Sequence, residues 1–177
     1  MEIPLSAGGG SVVVRSWHRG DAASLVRHAD DREVWRNLRD RFPSPYTEGD
    51  AKRWLRVASR EDPGMNFAIA VDGEAVGGIG LGAQPDVFRR SVEIGYWLGR
   101  PYWGRGIMTE AVRAVTAYGF ATLDVGRIFA GVFDWNPASA RVLEKAGYTF
   151  EARLRRDVTK DGHTLDRLMY AVTREDA

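Results

Sequence analysis

The chain has 177 residues, 25 of them Lys or Arg against 24 Asp or Glu, for a net charge of +1. That length suits one domain with a sizeable core, and the balanced charge gives no general attraction to nucleic acid or to a membrane surface. Cysteine is absent, which excludes disulfides and thiolate metal sites, and His18, His28 and His163 have no metal-ligand spacing, so no metal is expected.

In chain order, Met1 to Ser11 lacks the basic and apolar regions of a signal peptide, and no apolar run approaches membrane-spanning length. A soluble cytoplasmic protein with no membrane partner is the expectation. Gly8-Gly-Gly10 is expected to leave residues 1–10 flexible, and Val12-Val-Val14 reads as a strand. Asp21 can cap a helix that runs to Ala29, with Leu25 and Val26 on its buried side. Asp31 to Leu38 reads as a second short helix, and Phe42-Pro-Ser-Pro45 breaks the pattern. Thr47 with Asp50 forms a capping-box pattern, opening a helix that carries Ala51, Trp54, Leu55 and Ala58.

Asn66 to Val71 and Glu74 to Leu81 flank Asp72-Gly73, the pair that supplies the positive φ angles of a type I′ hairpin turn. Val92 to Leu98 is the next strand. The helix after Gly104 places Ile107, Ala111, Ala114, Val115 and Tyr118 on one face. Arg127 to Phe133 is a strand, and Pro137 suits the first turn of a helix that ends near Gly147. Strands from about Tyr148 to Asp157 and Thr164 to Thr173 flank the turn at Lys160-Asp-Gly162. This order implies one α/β domain over residues 1–177, a mixed sheet with helices on both faces.

Gly104 and Gly106 sit where a turn becomes a helix. Unpaired N–H groups and the helix dipole there suit an anion, and two glycines let it approach the backbone. A phosphate site and a plain helix-entry turn both fit. Thr109 stands where a dinucleotide fingerprint needs its third glycine, and no Gly-Lys-Ser/Thr ending follows. Gly77, Gly78, Gly80 and Gly82 belong to a strand and open no helix. Gly95 inside a strand marks a bulge or a close backbone approach. Glu93 is the only acid of its strand, either a general base or a solvated side chain. Asn136 before Pro137 reads as an N-cap. Arg105 and Arg141 could meet phosphates or stand in solvent.

The run Glu93-Ile-Gly-Tyr-Trp-Leu98, then Tyr102-Trp-Gly-Arg-Gly106 and Thr109-Glu-Ala111, resembles motif A of the GNAT acyltransferase superfamily. Asn136-Pro-Ala-Ser-Ala-Arg-Val-Leu-Glu-Lys-Ala-Gly-Tyr148 and Arg41-Phe-Pro-Ser-Pro-Tyr-Thr-Glu-Gly-Asp-Ala51 resemble further segments of its branch that acetylates ribosomal-protein N-termini. One departure is Pro101 at a position that is usually polar, with Arg100 one residue early. The resemblance implies a mostly antiparallel mixed sheet splayed at its centre and acetyl-CoA as co-substrate. Its pyrophosphate would sit on Gly104, Arg105, Gly106 and Ile107, with Arg100, Asn136 and Arg141 as further contacts. The pantetheine arm would bond the backbone of Tyr96, Trp97 and Leu98.

By the same resemblance, Glu93 would be the base. Ser139 would serve the leaving thiolate, because the usual tyrosine position holds Leu143. Tyr148 and water are the alternatives. Trp35, Asn37, Tyr46 and the Arg155 to His163 turn belong to the acceptor side. The implied activity is acetyl transfer to a primary amine, a protein N-terminal α-amine among the candidates. A small-molecule (antibiotic or polyamine) acceptor, a non-catalytic acyl-CoA-binding module and a ribosome-associated interaction protein are the competing readings. Monomer and homodimer are both open.

Overall fold

The computed structural model describes residues 2–59 and 65–175. Eight strands form one sheet in the order β1-β2-β3-β4-β5-β6-β8-β7. The first four are β1 (Glu2–Leu5), β2 (Val12–Ser16), β3 (Asn66–Val71) and β4 (Glu74–Ala83). Then come β5 (Ser91–Leu98), β6 (Arg127–Phe133), β7 (Thr149–Lys160) and β8 (His163–Thr173). Every neighbouring pair is antiparallel except β5 and β6, which run parallel. The β3–β4 turn has Asp72 at φ 49° and Gly73 at φ 86°, as the sequence requires.

Helices cover both faces. On one lie α4 (Ile107–Thr122) and α5 (Pro137–Lys145), which bury Ile107, Val112, Val115 and Leu143 against Ile69, Ile79, Ile94 and Ile128. On the other lie α1 (Ala22–Ala29), the short α2 (Arg32–Trp35) and α3 (Glu48–Ala58), where Leu25, Ala51 and Leu55 pack with Trp17, Ala68 and Ala75. The Thr47–Asp50 capping box is present with both of its bonds, and Asn136 Oδ1 accepts from Ser139 N–H at 3.2 Å to cap α5.

Two expectations are corrected. Residues 2–5 are not flexible: they pair with β2, and Ile3 and Leu5 rest against the core. Gly8 and Gly9, at φ 88° and 72°, bend the chain between those strands, so the glycines serve a turn. Met1 lies outside the described residues. Asp21 does not cap α1 with its side chain. Its carboxylate instead accepts two bonds from Arg15, both 2.8 Å, and one from His18 N–H at 2.8 Å, inside the fold. An ion pair with Arg15, six residues back, overrode the cap.

Burial pushes the Asp21 carboxyl up, but the Arg15 and His18 hydrogen bonds and the Arg15 charge outweigh it and hold it below its ordinary value. A lowered native pKa means the pair stabilises above the unfolded carboxylate range and that this contribution fades as pH falls through the native value. Asp21→Ala strands a buried guanidinium and should cost about 3–5 kcal/mol at pH 7 in urea unfolding. The gap to wild type should narrow below about pH 4; a gap independent of pH would contradict this account.

Candidate active site

The site starts where two strands part. β5 pairs with β6 only at Ser91–Arg127, Val92–Ile128 and Glu93–Phe129, while it stays paired with β4 out to Leu98. β6 meanwhile stays paired with β8 out to Phe133. Strand alternation decides which backbone groups face the gap. Gly99 N–H bonds Val76 O at 2.8 Å, so odd-numbered β5 residues bond β4. The N–H and C=O groups of Ile94, Tyr96 and Leu98 therefore point toward the gap. Trp97 is corrected from this set, since its carbonyl lies against β4 beside Gly77. A cavity of about 1230 Å³ occupies the gap and is lined from both faces of the sheet.

At one end of the cavity is the turn that opens α4. Gly104 and Gly106 have φ 75° and 76°, a region side chains disfavour, and a Cβ on Gly104 would stand in open space. Trp103 Nε1 donates to Leu98 O at 2.7 Å and ties this turn to β5. Arg105 lies over the Tyr102 ring at 5.3 Å and lines the cavity, as do Ile107, Asn136 and Arg141. Arg100 does not line it: its Nε is 3.2 Å from Asp31. An open strand gap that leads to a glycine cradle at a helix start fits a long thiol carrying phosphates.

The candidate reacting groups stand on opposite faces of β5. Glu93 projects toward the α1–α3 side, and both of its oxygens accept from Arg39 Nη2, at 2.5 and 2.6 Å. Tyr96 projects the other way, where its hydroxyl meets Ser139 Oγ at 2.8 Å. Burial pushes the Tyr96 phenol far up, more than the Ser139 bond lowers it, so it keeps its proton. Glu93, Tyr96 and Ser139 all line the one cavity. Tyr148 does not. Its hydroxyl bonds Thr116 at 2.7 Å, and burial raises its phenol to about 12.

On the α1–α3 side, Asn37 and Tyr46 line the cavity. Asn37 Nδ2 bonds Glu33 O at 2.9 Å and so stiffens the loop after α2. Burial, helped by the Asp50 charge, raises the Tyr46 phenol to about 12. Trp35 is not in the lining. It lies under Lys160, whose Nζ is 3.6 Å from the ring centroid and 2.7 Å from Asp40 Oδ1. Arg32 bonds Asp161 at 2.6 Å beside it, so the β7–β8 hairpin tip clamps this segment. Of the Arg155 to His163 turn, Val158 reaches the cavity, and His163 packs edge-on to Trp135, which lines it. Sequence reasoning missed Arg39 and the Tyr96 hydroxyl. The signal for Tyr96 was strand parity, which sets it opposite Glu93; for Arg39, 54 positions from its partner, there was none.

A family model described as an acetyltransferase (GNAT) domain matches residues 11–149. The chain belongs to this family of acetyltransferases. It is 38% identical over 138 residues to YjcK of Bacillus subtilis, a probable N-acetyltransferase, covering 73% of this chain and 74% of that one. It is 28% identical to the [ribosomal protein uS5]-alanine N-acetyltransferase of Escherichia coli, over 93% of this chain and 89% of that one. RimJ of Mycobacterium smegmatis, solved with CoA-disulfide, superposes with a TM-score of 0.85 at 29% identity, over 98% and 87% of the two chains. Acetyl-CoA is the acetyl donor of this family, and no group of metal-ligating side chains is present among the described residues. None of the described helices is long and apolar enough to cross a membrane.

Gly104→Val should weaken coenzyme A binding tenfold or more by calorimetry, about 1.4 kcal/mol. Gly147, at φ 94° and away from the cavity, is the control for backbone strain. Gly147→Val should lose stability and keep its affinity.

Proposed function

We propose that this acetyltransferase acts on the α-amine of a protein N-terminus, by direct transfer from acetyl-CoA. The observation that carries the reading is the placement of Glu93 and the Tyr96–Ser139 pair on opposite faces of β5, open to one cavity. The relative that acetylates the alanine of ribosomal protein uS5 favours a protein amine over a small one.

Acetyl-CoA supplies the acetyl group as an activated thioester. Gap-facing backbone at Ile94, Tyr96 and Leu98 aligns its pantetheine arm, and an N–H there meets the carbonyl oxygen as it turns negative. The N-termini of α4 and α5 hold the phosphate end, with Arg105 and Arg141 at hand. Glu93 accepts a proton from the amine as the N–C bond forms. Ser139 donates a hydrogen bond to the sulfur as the C–S bond breaks, the thiolate then takes its proton from solvent, and Tyr96, keeping its own proton, orients the Ser139 hydroxyl through their 2.8 Å contact. A thiol is already a fair leaving group, so a hydrogen bond is sufficient help.

Glu93→Gln should lower kcat roughly 10²-fold near neutral pH. An unchanged kcat would return Glu93 to a structural role. Ser139→Ala and Tyr96→Phe should each lower kcat with acetyl-CoA affinity nearly unchanged, and the double variant should cost little more than Ser139→Ala alone, as for groups acting in series. Thiol release measured across peptides and small amines tests the acceptor class.

A further inference from the structure

The acceptor half of the cavity has an arginine rim. Arg36, Arg39 and Arg41 from the loop after α2 and Arg53 from α3 line it, against Glu33, Asp50 and Glu93. Each acid is already engaged: Glu33 lies 3.5 Å from Arg36, Asp50 2.9 Å from Arg53, and Glu93 is held by Arg39. Arg41 is exposed and has no partner among the described residues. The base is thus guarded by a cation. An amine that reaches Glu93 competes with Arg39 for its oxygens, and a guanidinium drawn away then needs another anion.

We propose that Arg39 selects the acceptor, and that it favours a peptide amine with an Asp or Glu side chain one or two residues behind the reacting N-terminus. This rests on the peptide-amine reading above. The amine replaces the guanidinium at Glu93, and the acceptor's carboxylate takes the released guanidinium, with Arg41 beside it. One residue of extended chain spans about 3.5 Å, so such a carboxylate stays within reach of a long arginine. The Arg39 side chain is 52% exposed, so no packed neighbour encloses it. Its backbone is fixed, because Phe42 N–H bonds Arg39 O at 2.9 Å. A polyamine gives Arg39 no counter-ion and adds positive charge to a positive rim, so complementarity runs against it.

The test compares kcat/KM at saturating acetyl-CoA for equal-length peptides beginning Ser-Glu-Glu, Ser-Gln-Gln and Ser-Lys-Lys, with spermidine alongside. The acidic peptide should exceed the neutral one about tenfold and the basic one by more, chiefly through KM, with the margin shrinking at high salt. Arg39→Glu should invert the order of acidic and basic peptides, and Arg39→Lys should keep it. Equal rates for the three peptides, or an unchanged order in Arg39→Glu, would overturn the selectivity while leaving the peptide amine as acceptor. Spermidine turned over faster than every peptide would overturn both.

Discussion

The site depends on β5 letting go of β6 after Glu93 while each strand stays anchored on its outer side. β4 holds β5 to Leu98, and β8 holds β6 to Phe133, so the gap cannot close by sliding. Unpaired peptide groups inside a sheet cost about 1–3 kcal/mol each when they are buried dry. They persist here because they face a large cavity, and because the Trp103 indole satisfies Leu98 O. The opening is held by ordinary sheet pairing on both sides and needs no special residue at the split itself.

Strand parity then divides the labour. Successive side chains of β5 leave the sheet on opposite faces. Glu93 meets the acceptor half of the cavity, and Tyr96 meets α5 and the donor half. Gly95 between them leaves open space where a side chain would stand. A group held in the gap can thus be reached from both sides at once with no movement of the scaffold, which is the preorganisation that proximity effects require.

Much of the fold was legible because its cues are local. Asp72-Gly73 fixes a turn by its own φ angles, Thr47 and Asp50 close a box three residues apart, and Asn136 caps the helix that Pro137 begins. The glycine turn and Glu93 were legible through spacing on one strand and one helix. What escaped involves partners outside the local pattern, some near in sequence and some far. Asp21 resembles a cap until Arg15 arrives across a buried turn. Trp35 resembles an acceptor contact until Lys160 is folded over it. The β1 segment looked loose because its reason for order is β2, not its own composition. Arg39 carries no cue at all, since an arginine in a loop reads as solvated until its distant acid is known.

The clamp of the β7–β8 tip on the α2 segment also sets an order of assembly. Its bonds join residues 120 and 129 positions apart, among the longest closures in the fold. Contacts of such separation form late, because a large loss of chain freedom precedes them. The donor half, built from β4, β5, α4, β6 and α5, draws on a continuous stretch of sequence and needs none of that closure. A chain emerging from synthesis can therefore complete its nucleotide cradle before its acceptor wall, and the capacity to hold the donor precedes the capacity to choose whom it modifies.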